Sequence, residues 1–393
     1  MGQGELEFEL ITPSARIATA THGGRAKCLQ RLLRLELPVP KTVAISFSGV
    51  HSIASGNFED LPEILSNFNN NDLLCVRPSS ESPDWGGPSA IMNIGMNNLR
   101  YEELKQKLGA DAASSIYINF VQAYSLHVAR LDPDIFNPVE TQNSAALAKV
   151  LEIYESETEQ EFPQDITTQL SEILRSMART WESTTARLLR QAKGAPLDAG
   201  LGLVIQVMAF GLGEGECGTG TLQLIDENDG KPKIKGRYKE QSQLRPEKSS
   251  EGALYLTKDN RGWSLEDNNE EIFRQLVEFA SIMRVKLREE MQIEFSIQNG
   301  VLHILDGIKT PRRSQAAVRV AVTLAEDGII SRNEAIMRVE PRAISELLHR
   351  QIDPEAERDV LGSGVAASPG AATGKIVFSA EAAQSHASRG IDC

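Results

Sequence analysis

Val204-Ile205-Gln206-Val207-Met208-Ala209-Phe210 runs directly into Gly211-Leu212-Gly213-Glu214-Gly215-Glu216-Cys217-Gly218-Thr219-Gly220, and then into Thr221–Ile225. The first stretch is apolar, rich in β-branched residues and too short for a buried helix, so it reads as a buried strand. The glycine-dense stretch reads as a turn, the third as a second strand, and Asp226–Gly230 as a hairpin-type turn. Glycines between two strands allow positive φ and close approach of backbone N–H groups to an anion. The same pattern also describes an ordinary turn, so by itself it sets a fold, not a ligand.

Working outward, residues 1–100 mix β-like runs (Thr42–Phe47, Leu73–Val76) with an amphipathic helix, Lys27–Leu35, preceded by Gly23-Gly24 and ended by Leu37-Pro38-Val39-Pro40. Apolar residues recur at helical spacing in Tyr101–Leu108, Ser115–Leu131, Asn143–Glu155 and Thr167–Gln191. Further on come a helix at Glu270–Met291, a β-hairpin made of Gln292–Ile297, Asn299-Gly300 and Val301–Leu305, and helical pattern over Gln315–Leu348. The fold class is therefore mixed α/β, with strands and helices partly segregated in the α+β manner.

The chain has 393 residues, 41% of them hydrophobic and 24% charged, and a formal net charge of −13. That length calls for two or three domains. The acidic balance argues against nucleic acid or an anionic membrane as the main partner, though a local basic pocket still admits an anionic nucleotide. Cys28, Cys75, Cys217 and Cys393 are scattered, without a CxxC pair, and read as reduced thiols of a cytoplasmic protein. The acidic N-terminus has the wrong charge for a signal or transit peptide, and no apolar run reaches membrane-spanning length.

Several segments, in order, resemble pyruvate phosphate dikinase. They include His22-Gly23-Gly24-Arg25, Leu74-Cys75-Val76-Arg77, Asn93-Ile94-Gly95-Met96-Asn97-Asn98, Phe162-Pro163-Gln164, Trp181, Val204–Gly211, Gly218-Thr219-Gly220, Ile293-Glu294-Phe295-Ser296-Ile297 and the stretch from Ala317 to Pro341. Residues 362–378, from Gly362-Ser363-Gly364 to Ile376-Val377-Phe378, resemble the entry into that family's swivelling phosphohistidine domain. The resemblance implies an ATP-grasp-like nucleotide-binding fold with a helical insertion. It places a first subdomain at 1–100 and 193–215, the insertion at 101–192, a second subdomain at 216–310, a helical connector at 311–361 and a truncated swivelling domain at 362–393. It also implies ATP and Mg²⁺ as ligands, with Arg25, Arg77, Gln206, Met208, Gly218, Thr219, Gly220, Glu294 and Asp306 at the nucleotide and Glu294 at the metal.

Against the family's pattern several charges change. Arg25 replaces a lysine and keeps the charge, but as a planar fork. Glu81 stands where a second arginine belongs, Gln292-Ile293-Glu294-Phe295 offers one metal carboxylate where the family has two, and Leu305-Asp306-Gly307-Ile308 replaces L-Q-T-R. Arg245 falls where the family has a glutamate. These losses, which spare the fold-bearing glycines and strands, imply an adenine-nucleotide-binding protein impaired in dikinase chemistry. The alternative is a divergent ATP-dependent phosphotransferase using Arg25, Arg77, Glu294 and Asp306 in a rearranged site with a separate acceptor.

Plainer readings stand beside these. Arg77 also reads as a structural arginine paired to a local acid, Glu294 as a surface strand residue, Asp306 as a solvated or capping acid, and His22 as an exposed loop histidine. His386, in Ser385-His386-Ala387, sits too early to be the family's phosphorylated histidine. Trp85 reads as a lid or a partner contact. Gly374–Phe378 reads as a strand whose unpaired edge could seat a second copy or a separate protein.

Overall fold

In a computed structural model the described residues are 7–56, 59–137, 139, 143–242, 252–259, 262–349, 352–353, 356–360, 362, 371 and 373–392. The strands are β1 (Phe8–Leu10), β2 (Thr42–Ile45), β3 (Leu74–Ser80), β4 (Ile91–Ile94), β5 (Leu201–Val207), β6 (Gly218–Ile225), β7 (Pro232–Glu240), β8 (Ala253–Leu254), β9 (Met291–Gln298) and β10 (Val301–Lys309). The helices are α1 (Thr19–Arg34), α2 (Phe47–Ser55), α3 (Leu61–Ser66), α4 (Asn98–Leu108), α5 (Ala110–Tyr124), α6 (Ser144–Thr158), α7 (Ile166–Glu182), α8 (Thr184–Ala192), α9 (Leu265–Asn268), α10 (Glu270–Leu287), α11 (Ser314–Glu326), α12 (Arg332–Arg338), α13 (Pro341–Leu347) and α14 (Ala380–Ala387). The chain divides into two compact units, Met1–Leu224 with Ile234–Thr310, and Ile225–Lys233 with Pro311–Cys393.

The larger unit holds two five-stranded sheets, ordered β1-β2-β5-β3-β4 and β10-β9-β6-β7-β8. The first is antiparallel at every pairing, as are the β6–β9, β9–β10 and β7–β8 pairings of the second. The expected strand at Val204–Phe210 begins and ends three residues earlier, as β5, because its ladder partners on β3 stop at Leu74 opposite Val207. β5 is buried on both faces. Leu203 and Ile205 join a core with the helices α2 to α8, while Val204 joins a second core with α1, α10 and the other sheet. A central strand covered on both sides needs apolar residues at every position, which explains its unbroken apolar run.

Two sequence expectations are corrected here. The pattern over Thr167–Gln191 forms two helices, because Ser183 adopts an extended conformation and its hydroxyl accepts from the Ala186 N–H to start α8. The glycine-dense turn ends at Cys217, and Gly218-Thr219-Gly220 belongs to β6. A Cβ on Gly220 would lie 2.3 Å from the Arg237 carbonyl oxygen and one on Gly218 would lie 2.5 Å from that of Lys239, so these glycines serve close strand packing against β7.

In the smaller unit, Ile225, Val320, Ala321, Leu324 and Ile330 form a core of their own, and the Arg313 N–H donates to the Glu227 carbonyl at 2.9 Å. Gly374–Phe378 is no strand. Of its neighbours, the Lys375 N–H reaches only the Asp392 carbonyl at 2.9 Å, and the Phe378 side chain is 97% exposed. Among the described residues no helix is long and apolar enough to cross a membrane.

Candidate functional site

The site is built from α1, β3, β9 and β10. Helix α1 contains a break at Gly23, whose φ of 83° is left-handed and whose absent Cβ would fall 1.8 Å from the Ser79 carbonyl oxygen. Only glycine fits there. Across this contact the Ser79 hydroxyl donates to the His22 carbonyl at 2.6 Å and accepts from the Ala26 N–H at 3.1 Å, fastening α1 to β3. His22 is thus inside the protein, 4% exposed, and not an exposed loop residue. Its Nδ1 lies 2.8 Å from the Thr21 hydroxyl.

Fixed in this way, Arg25 points at β10. Its Nε donates to Asp306 Oδ2 at 2.6 Å, and its Nη1 donates to the Pro78 carbonyl. Arg77, on β3, reaches the second sheet. It donates to Glu294 Oε2 and, at 3.2 Å, to the Leu305 carbonyl, and it lies 3.6 Å from Asp306 Oδ2. A bulge between Ile304 and Asp306 brings Asp306 opposite Glu294 in the ladder, and Glu294 is opposite Thr221 on β6. Residues directly opposite in antiparallel strands share a face. Thr221, Glu294 and Asp306 therefore form a polar row, with Thr219 and Ser296 beside it, on the face opposite to the buried Ile293, Phe295 and Ile297.

The result is two guanidinium groups and two carboxylates in mutual contact. Asp306, expected as a solvated or capping acid, is the most buried of them, its side chain 1% exposed. Both its oxygens are engaged, since Oδ1 accepts from the Gly307 N–H at 2.8 Å. Burial draws the Arg77 pKa down, but Asp306 and Glu294 outweigh it, leaving the group above its ordinary value and cationic. Beside the cluster opens a cavity of about 500 Å³ whose walls include Lys27, Cys28, Glu81, Ile308 and Lys309. Burial, then the Asp306 carboxylate, pushes the Cys28 thiol up to about 12, and its S–H donates to the Gly307 carbonyl at 3.0 Å.

Of the other expected contacts, Thr219 flanks the polar row, while Gln206 and Met208 bond to other partners. Gln206 is buried and its Nε2 donates to the Thr42 hydroxyl at 2.9 Å. Met208 is partly buried against the first core and its N–H donates to the Leu73 carbonyl at 2.9 Å. The neighbouring Ala209 carbonyl accepts from the Ser296 hydroxyl at 2.9 Å, and the Phe210 N–H donates to Gln298 at 3.0 Å. Gly218, Thr219 and Gly220 lie in β6, as described. Trp85 ends a short 3₁₀ turn and packs on the first core. Arg245 lies outside the described residues. Ser296 and Thr221 were missed from the sequence, although their alternation with buried apolar neighbours marks the polar face.

Both carboxylates are engaged within the protein. Asp306 has no free oxygen, Glu294 carries Arg77, and no group of three His, Cys, Asp or Glu able to hold an ion occurs among the described residues. A Mg²⁺ here would rest on Glu294 and Asp306 together with the phosphate oxygens of a bound nucleotide, and would compete with the arginines that hold both carboxylates.

No family model matches the chain. Among curated proteins it is 28% identical over 405 residues to a pyruvate, phosphate dikinase of Rhizobium meliloti (strain 1021), a match covering 92% of this chain and 45% of that protein. It is 27% identical over 339 residues to that of Clostridium symbiosum, covering 81% and 38%, and 28% identical over 337 residues to the chloroplastic protein of Flaveria trinervia, covering 81% and 35%. The chain is similar to pyruvate, phosphate dikinases. It spans less than half the length of each of these relatives, and at this distance single residues that hold charge can change while the two sheets persist.

Proposed function

We propose that this chain is a pyruvate-phosphate-dikinase-like protein that binds an adenine nucleotide weakly between the two sheets, in an ATP-grasp-like arrangement, and is impaired in dikinase phosphotransfer. The observation that carries this reading is the closed charge cluster. Arg25 and Arg77, the cations where the two sheets face each other, both already hold carboxylates, with Asp306 at 2.6 Å from Arg25. A triphosphate would have to displace Glu294 and compete with a buried Asp306 that cannot leave its strand. Each charge-assisted hydrogen bond lost in this way is worth about 1.5–3 kcal/mol. Ile308, which lines the cavity where charge would develop, offers none of the transition-state stabilisation that an arginine supplies, roughly 10³–10⁵ in rate.

Calorimetric titration tests the reading. ATP, with or without Mg²⁺, is expected to bind with a dissociation constant in the high micromolar to millimolar range, the two differing by less than threefold because both carboxylates are held by arginines. Absence of both heat and any shift in melting temperature at saturating nucleotide would refute nucleotide binding. Submicromolar, Mg²⁺-dependent affinity would refute the impaired site.

A further inference from the structure

The geometry points to a second binding site, for a small organic carboxylate with an apolar body, in the cavity between α2, α8 and the start of β5. This cavity, of about 490 Å³, has an apolar wall of Phe47, Val50, Trp181 and Leu201 and a charged wall of Arg190, Arg187, Glu182 and Asp198, with His51 also in its lining, none of which belongs to the charge cluster. Its size is that of a small-molecule pocket. The deciding group is Arg190. It is 6% exposed, and its guanidinium lies flat on the Trp181 ring, Cζ 3.6 Å from the ring centroid.

Burial of a guanidinium normally comes with a carboxylate partner. Arg190 has none. Its Nη1 donates to the Trp181 carbonyl at 2.6 Å, and the Nε and Nη2 edge has no acceptor among the described residues. Of the two acids on the cavity wall, Glu182 is engaged by Arg187 at the surface, and Asp198 makes no ion pair with Arg190 among the described residues. Burial accordingly draws the Arg190 pKa below its ordinary value in spite of Glu182. The stacking fixes the plane of the fork, and the free edge is the one that binds a carboxylate with two parallel hydrogen bonds. With the Glu182 and Asp198 carboxylates on the same wall, the Arg190 fork matches a monoanion better than a phosphate dianion. Phe47, Val50 and Leu201 supply apolar walls, so the body of the ligand is apolar. The Trp181 indole N–H, donating to the Ala199 carbonyl at 3.2 Å, anchors the ring and reports on the site.

The test uses the full chain, ¹⁵N-labelled at its three tryptophans, with indole signals assigned through Trp85→Phe and Trp263→Phe. Sodium benzoate, sodium acetate and inorganic phosphate are titrated at constant ionic strength. Benzoate is expected to shift the Trp181 signal saturably, acetate at least tenfold more weakly, and phosphate not at all. Arg190→Lys, which keeps charge but not the fork, should weaken benzoate at least tenfold, and His51→Trp, which fills the cavity mouth with Arg190 intact, should do the same. If Arg190→Lys does not fold, His51→Trp decides. A Trp181 signal unmoved by benzoate, or moved equally by phosphate, overturns the site, as does undiminished benzoate binding in His51→Trp.

Discussion

Asp306 holds two arginines with a carboxylate that solvent barely reaches, so its loss cannot be screened away. Asp306→Asn leaves Arg25 without its anion and Arg77 with Glu294 alone. Removing one partner of a buried ion pair costs roughly 3–5 kcal/mol, and because Glu294 remains the expected loss is at the lower end, about 3 kcal/mol, read as a lower urea midpoint. The same change frees Arg25 and leaves Arg77 with one anion fewer, so ATP should raise the melting temperature of Asp306→Asn more than that of the wild type. Equal ligand shifts in the two proteins would show that Asp306 does not obstruct the phosphates. Cys28 offers a second reading of the same carboxylate. With its pKa pushed up to about 12 by burial and by Asp306, about one thiol in ten thousand is ionised at pH 8, and only the thiolate alkylates. Cys28 should resist iodoacetamide at pH 8 in the folded protein, react in denaturant, and react faster in Asp306→Asn. Peptide mass mapping distinguishes it from the buried Cys75 and Cys217.

Strand β6 shows at the level of the element how a glycine run can be misread. Gly220 packs against the Arg237 carbonyl and the Phe295 ring, which an added Cβ would approach to 2.3 and 2.7 Å. Gly220→Ala should therefore cost about 3 kcal/mol, in the range of overpacking and strain. Gly215→Ala, in the open part of the turn with φ of 72° and no neighbour within 4 Å, should cost only about 1 kcal/mol for the left-handed backbone. Similar losses at both positions in chemical denaturation would contradict this account. The contrast explains what was legible in the sequence. Apolar periodicity and β-branched content announced β5, β9, β10 and the helices of residues 98–192, since burial of one or both faces leaves that mark directly. The boundary at Gly218 was not legible, because it depends on the approach of β7, and periodicity carries no information about a neighbouring strand. Nor did the chain order reveal that Arg77 spans to β9 and β10. The residues of the cluster were identified, but their mutual pairing, which decides their chemistry, arises only when the two sheets face each other.

At the scale of the molecule, the two cores of the larger unit depend on α1, β5 and the facing sheets, and the charge cluster sits where these elements meet. The fold is thereby retained with both arginines of the cluster held by carboxylates, on a chain whose net charge is already −13. His386 lies within α14, its Nδ1 2.9 Å from the Ala382 carbonyl, in a helix that has no glycine turn ahead of it. On the proposed reading the chain incubated with γ- or β-³²P-labelled ATP should gain no label, and it should not label a separately supplied phosphohistidine domain from an active dikinase. Three substitutions together, Glu81→Arg, Asp306→Gln and Ile308→Arg, restore positive charge at the cavity and remove the anion that holds Arg25 and Arg77. They should allow labelling of the supplied domain where the wild type gives none, because phosphoryl transfer draws its acceleration from preorganised positive charge. Label on His386, or labelling of the supplied domain by the wild type at the active dikinase's rate, would show that the closed cluster opens during turnover and that the chain is a working phosphotransferase.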